Sequence, residues 1–91
     1  MTNAKLDVQG SENSAVGMMV TARRVGALAT EVRYQFGLEG RFDRVLTIDP
    51  RTLEARVEDG DFNPAASAIT AKIVNAWRTA GEFPERMTFA S

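Results

Sequence analysis

Asn63-Pro64 at one end and Gly81 at the other bracket a stretch that reads as a helix and little else. An Asn side chain accepts a hydrogen bond from a free N–H of the first turn, and Pro at the first helical position gives up an N–H that had no partner there. Between them, Ala66, Ile69, Ile73, Ala76, Trp77 and Ala80 recur at steps of three and four, with Lys72, Asn75, Arg78 and Thr79 off the stripe. Gly81 supplies the left-handed residue that ends a helix. Trp77, in phase with the stripe, is expected in the core.

Such a stripe needs a surface to cover, and the residues before it alternate. Thr30, Val32, Tyr34 and Phe36 point one way and Glu31, Arg33 and Gln35 the other. Gly37-Leu38-Glu39-Gly40 is a tight turn. From Arg41 to Asp49, Phe42, Leu46 and Ile48 are in phase, while Arg44 breaks the phase, so a bulge is expected there. Asp49-Pro50-Arg51-Thr52 fits a type I turn. Leu53, Ala55 and Val57 then alternate with Glu54, Arg56 and Glu58. These make three antiparallel strands in a meander, with Thr30–Phe36 as one exposed edge and Leu53–Val57 as the other.

Ahead of the strands, Ala15, Met18, Met19, Ala22, Val25 and Ala29 also step by three and four, which predicts a first helix capped by Ser11 or Ser14. Gly17 and Gly26 each cost such a helix up to about 1 kcal/mol. A strand is set aside here because it would turn Arg24 toward the apolar side. The expected fold is therefore α+β: a helix, a three-stranded antiparallel β-meander and a helix, in two layers with both helices on one face of the sheet. Residues 1–13 are expected as a flexible N-terminal arm, 14–81 as a single α+β domain and 82–91 as a C-terminal tail. The tail's Phe83, Met87 and Phe89 either dock on the domain or join a second chain.

Composition narrows the chemistry. The 91 residues contain neither Cys nor His. That excludes thiol catalysis, Cys-ligated zinc and the commonest general base, and favours a reducing, cytoplasmic setting. No apolar run approaches the roughly 20 residues of a membrane span, and no leader-like apolar segment follows a basic start. Asp59-Gly60-Asp61-Phe62-Asn63 resembles the opening of a calcium loop. Pro64 and Thr70, however, stand where the loop's Gly and bidentate Glu are needed, so a polar turn leading into the helix cap is expected and no metal. Asp43, Asp49, Glu54, Glu58, Asp59 and Asp61 fall in turns or on the solvent face, where nothing raises a carboxylate pKa. No phosphate-loop, dinucleotide or nucleophile-elbow pattern occurs, and no cofactor is expected.

Nine of the eleven basic residues are arginine, the side chain suited to flat bidentate contacts. Arg33, Arg41 and Arg56 are expected on the open face, with Arg44 near it. Glu31, Asp43, Glu54 and Glu58 are expected to interleave with them as cross-strand ion pairs, and no aromatic residue is expected there. The net charge of −1 argues against a dedicated nucleic-acid binder. By elimination, the chain is expected to be a non-enzymatic protein-interaction module, such as a small regulator, adaptor or inhibitor. It would meet a larger protein, or a second copy as a homodimer, along an edge with Val32, Arg33 and Tyr34, through Arg41, Arg44 and Arg56, or through Phe83 and Phe89. The alternative is a dimeric nucleic-acid-associated protein contacting phosphates through the sheet arginines.

Overall fold

The computed structural model describes residues 17–91. Five strands and one helix follow in chain order: β1 (Met19–Ala27), β2 (Val32–Leu38), β3 (Arg44–Ile48), β4 (Ala55–Val57), α1 (Pro64–Ala80) and β5 (Arg86–Ala90). The strands form one antiparallel sheet in the order β4-β3-β2-β1-β5. A single helix covers one face, lying against β1 and β5. This corrects the expected three-stranded meander between two helices. The arm 1–13 and the caps Ser11 and Ser14 lie outside the described residues.

The largest correction is β1, which takes the place of the expected first helix. Val20 and Ala22 are fully buried, and Arg24, the residue used to set a strand aside, does sit on the core side. It is satisfied there. Its Nη1 donates to the Phe83 carbonyl at 2.7 Å, and its Nη2 lies 3.8 Å from the Glu85 carboxylate. The register with β2 then shifts between Arg24 and Gly26. That bulge leaves Val25 51% exposed and accounts for the apparent helical step at that residue. β-branched Val20, Thr21 and Val25 favour a strand over a helix on propensity.

Because β1 joins the sheet, β2 is interior. Val32 pairs with Ala27 on one side and Ile48 on the other, so the strand read as an exposed edge has none to offer. Among the described residues the edges are β4 and β5. The residues set apart as a tail supply β5, with Val20 opposite Phe89 and Ala22 opposite Met87. No bulge occurs at Arg44. The β2–β3 register runs without a shift to the Phe36–Arg44 pair, and Phe42 precedes the strand.

The helix forms as its brackets predict. Asn63 accepts from the Ala66 N–H, and Gly81 (φ 81°) donates its N–H to the Trp77 carbonyl. Ala65, Ala66, Ile69 and Ile73 pack on Val20, Val32, Tyr34, Phe36, Leu46, Ile48 and Val57. Trp77 is half-buried at the helix end, its ring stacked on Phe83 at 5.7 Å between centroids. Beneath that stack, the Tyr34 hydroxyl donates to the Pro84 carbonyl at 2.6 Å. Burial pushes its pKa up to about 12, against a smaller downward pull from Arg24. Tyr34 and Arg24 thus fasten the connection that brings the chain back as β5.

Trp77→Ala removes this ring from a site that is only partly enclosed. We expect a loss of about 2–3 kcal/mol in urea unfolding, below the roughly 3–5 kcal/mol of a fully enclosed aromatic. A loss under about 1 kcal/mol would show that the Trp77–Phe83 stack does not hold the helix to β5.

Candidate functional site

Among the described residues one helix covers one face of the sheet, and the other face is left open by them. Strand pairing lays it out in rows. Arg56, Thr47 and Arg33 stand side by side across β4, β3 and β2. Val45, Gln35, Arg23 and Arg86 form the next row, and Gly37, Thr21 and Thr88 the one after. Arg23, Arg33, Arg56 and Arg86 are all exposed, and no paired position of this face carries an acid. Thr47, flanked by Arg33 and Arg56, is only 8% exposed.

This differs from the expected ladder of cross-strand ion pairs. Of the four acids expected there, only Glu31 binds a face arginine, holding Arg33 at 3.2 Å as its near neighbour in sequence. Among the described residues, Glu54 and Glu58 flank β4 without an ion pair, and Asp43 sits at the rim beside Gly37. Among the described residues, Arg56 and Arg86 have no carboxylate partner. Nor is the face without an aromatic residue. The Arg23 guanidinium lies 4.1 Å over the Phe42 ring while its Nε donates to Gln35 Oε1 at 2.9 Å. That brace holds Arg23 in place.

Arg44 belongs to the opposite side. It pairs with core-facing Phe36, and its guanidinium lies 4.8 Å over that ring. Nε and Nη2 reach the two Asp59 carboxylate oxygens at 2.9 and 3.2 Å, Nη1 donates to Asn63 Oδ1 at 2.9 Å, and Nη2 also donates to the Asp61 carbonyl. The calcium-like Asp59–Asn63 segment is thus wrapped around an internal cation. Asn63 Oδ1 is shared between Arg44 and the helix cap, so one arginine links β3, the loop and the start of α1. Arg41, Asp43, Arg44 and Asp61 line a cleft of about 270 Å³ with balanced charges.

The expected contact residues therefore separate. Arg33 and Arg56 lie together on the open face, and Arg41 is exposed in the loop that follows the β2 turn. Val32 and Tyr34 are buried in the core, Phe83 is buried under Trp77, and Phe89 is half-buried on the core side of β5. Arg44 is committed to the loop. Arg23, Arg86 and Phe42 were missed. The signal for Arg86 was the alternation of Met87 and Phe89 with Arg86 and Thr88. The signal for Arg23 was its place between Val20-x-Ala22 and the bulge.

Among the described residues there is no group of three or more potential metal-ligating side chains, and no helix is long and apolar enough to cross a membrane. Comparison with family models, with curated proteins and with solved structures returned no match.

Two carboxylates held by arginines set the acid response. Asp59 is held below its ordinary pKa first by the Arg44 hydrogen bonds and then by the Asp61 N–H. Asp49 is held at about 2 by the Arg51 side chain and then the Arg51 N–H. A depressed carboxylate contributes stability that is complete above its unfolded pKa, near 3.8, and that is lost as pH falls through the folded value. We expect Tm to fall as pH drops below about 4.5, and Asp59→Asn to lose part of that dependence. A Tm that stays flat down to about pH 2 in the wild type would remove the Arg44–Asp59 pair as a source of stability. Calcium should leave Tm unchanged, because Arg44 occupies its place; a rise of several degrees would contradict this.

Proposed function

We propose that the chain is a non-enzymatic interaction module that docks a larger protein, through that protein's acidic side chains, on the open face of the sheet. The observation that carries this reading is the set of four exposed arginines at paired positions where no acid stands. Arginine presents a planar fork that matches a carboxylate. The Arg23–Phe42–Gln35 brace reduces the side-chain freedom lost on binding. The chain as a whole carries −1, so its long-range field does not gather a polyanion, and contact with acidic groups is local. Catalysis has little to draw on. The sequence has no His or Cys, and Asp49 and Asp59 are shifted down, away from the range of a general acid–base. Absence of Cys favours a reducing, cytoplasmic setting.

The lack of acids at the paired positions of this face also favours a second reading, contact with nucleic-acid phosphates. It is the weaker one, because the aromatic residue on the face is already covered by Arg23, which leaves no free ring for a base.

The test is capture from native extract with wild type, with a triple variant Arg23→Ala/Arg56→Ala/Arg86→Ala, and with a helix-face control Lys72→Ala/Arg78→Ala. We expect an acidic protein that is lost only with the triple variant and that survives nuclease treatment. Loss with the helix-face control instead would move the working surface to α1. Loss on nuclease treatment, with an affinity that falls by roughly 0.9 log units per phosphate contact for each log unit of salt, would establish the phosphate reading.

A further inference from the structure

The sheet has two edges among the described residues, and they differ in what they can pair with. In antiparallel pairing, residues alternate between those bonded to the neighbour and those whose N–H and C=O point outward. On β5, the Ser91 N–H bonds to the Met18 carbonyl, and Glu85 accepts from the Arg24 N–H. The odd-numbered residues therefore face β1, and Arg86, Thr88 and Ala90 turn their backbone groups outward. On β4, Glu58 donates to Val45 and Glu54 accepts from Asp49, which leaves only Ala55 and Val57 pointing out.

We propose that two copies of this chain join edge to edge along β5, antiparallel about a two-fold axis at Thr88, into one continuous ten-stranded sheet. The outward set is symmetric about Thr88, as an isologous contact requires. Thr88 faces Thr88 of the second copy, and Arg86 faces Ala90 of the second copy, with two backbone bonds at each such pair. Between them, at the closer non-bonded positions, Met87 meets Phe89 of the second copy, and Phe89 meets its Met87. Those two side chains are half-buried in one copy, and each meets an apolar partner of matching kind in the other. Threonine opposite threonine and sulfur against an aromatic ring are both favourable cross-strand pairs.

Charge agrees with this register. No two like charges stand opposite each other. The two Arg86 side chains are four residues apart along the joint, roughly 13 Å, which exceeds the Debye length at physiological salt. The same operation on β4 fails, because a two-fold axis at Arg56 sets Arg56 against Arg56 on a strand of three residues. In the joined sheet the arginines of both copies share one face, on the side away from both helices.

The test is sedimentation of the full chain over a roughly hundredfold range of concentration. We expect the mean mass to rise from monomer to dimer. Thr88→Pro deletes an outward N–H and leaves the β1 ladder intact, so it should hold the chain as a monomer with little change in Tm. Thr88→Lys sets two like charges at the axis. It should weaken the dimer about tenfold or more at low salt, with partial recovery at high salt. Arg56→Ala, at the other edge, should leave the dimer unchanged. A monomer at every concentration overturns the proposal. So does a dimer that persists in both Thr88 variants while they remain folded.

Discussion

Ile69 and Ile73 carry the contact between α1 and the sheet, and both are wholly out of water. They lie over a layer in which Val20, Ala22, Tyr34, Phe36, Leu46 and Ile48 are likewise fully buried. One helix can seal only one face of a five-stranded sheet. That asymmetry dictates the rest. The other face must hold side chains that tolerate water over their whole length, and arginine does so while its stem still covers the sheet.

Three ties keep the layer in register at its ends. Arg44 gathers the β4–α1 loop and shares the Asn63 oxygen with the helix cap. Arg24 holds the Phe83 carbonyl and Tyr34 the Pro84 carbonyl, and so they direct the chain from the end of α1 into β5. Each places a hydrogen-bonding head on a carbonyl or carboxylate that would otherwise be left at the margin of the core, where an unpaired polar group is costly. Two of the three heads are arginines at core-side register positions, a placement that simple alternation rules forbid. Sheet ends permit it, because the side chain reaches past the apolar layer to the loops.

Arginines that look alike in the sequence thus have different roles. Arg24 and Arg44 are consumed within the fold, and Arg51 closes its own turn on Asp49. Arg23, Arg33, Arg56 and Arg86 face outward. Of the second group, Arg33 is held by Glu31, while Arg56 and Arg86 have no carboxylate partner among the described residues. The division depends on which face each strand position occupies, not on local charge density. The acids that sit among them in sequence lie mostly in turns and loops, so the face itself carries no paired acid.

Much of the fold was legible from local rules. Asn63-Pro64 and Gly81 mark both ends of α1, and the period of two in Val32-x-Tyr34-x-Phe36, Leu46-x-Ile48 and Ala55-x-Val57 gives the inward phase of three strands, because caps and alternation are properties of neighbouring residues. β1 was not legible. Its bulge turns a period of two into an apparent step of three, and Arg24 is acceptable on the core side only because Phe83 and Glu85, far along the chain, come to meet it. β5 was unreadable for a related reason: five residues with two half-buried side chains become a strand only when β1 is there to pair with them. The amino-acid sequence alone determined the helix, the strand phases and the lack of thiol and imidazole chemistry. Long-range pairing alone decided which strands are edges and which arginines share the open face, because backbone bonds between strands depend on segments that meet only after the chain has folded.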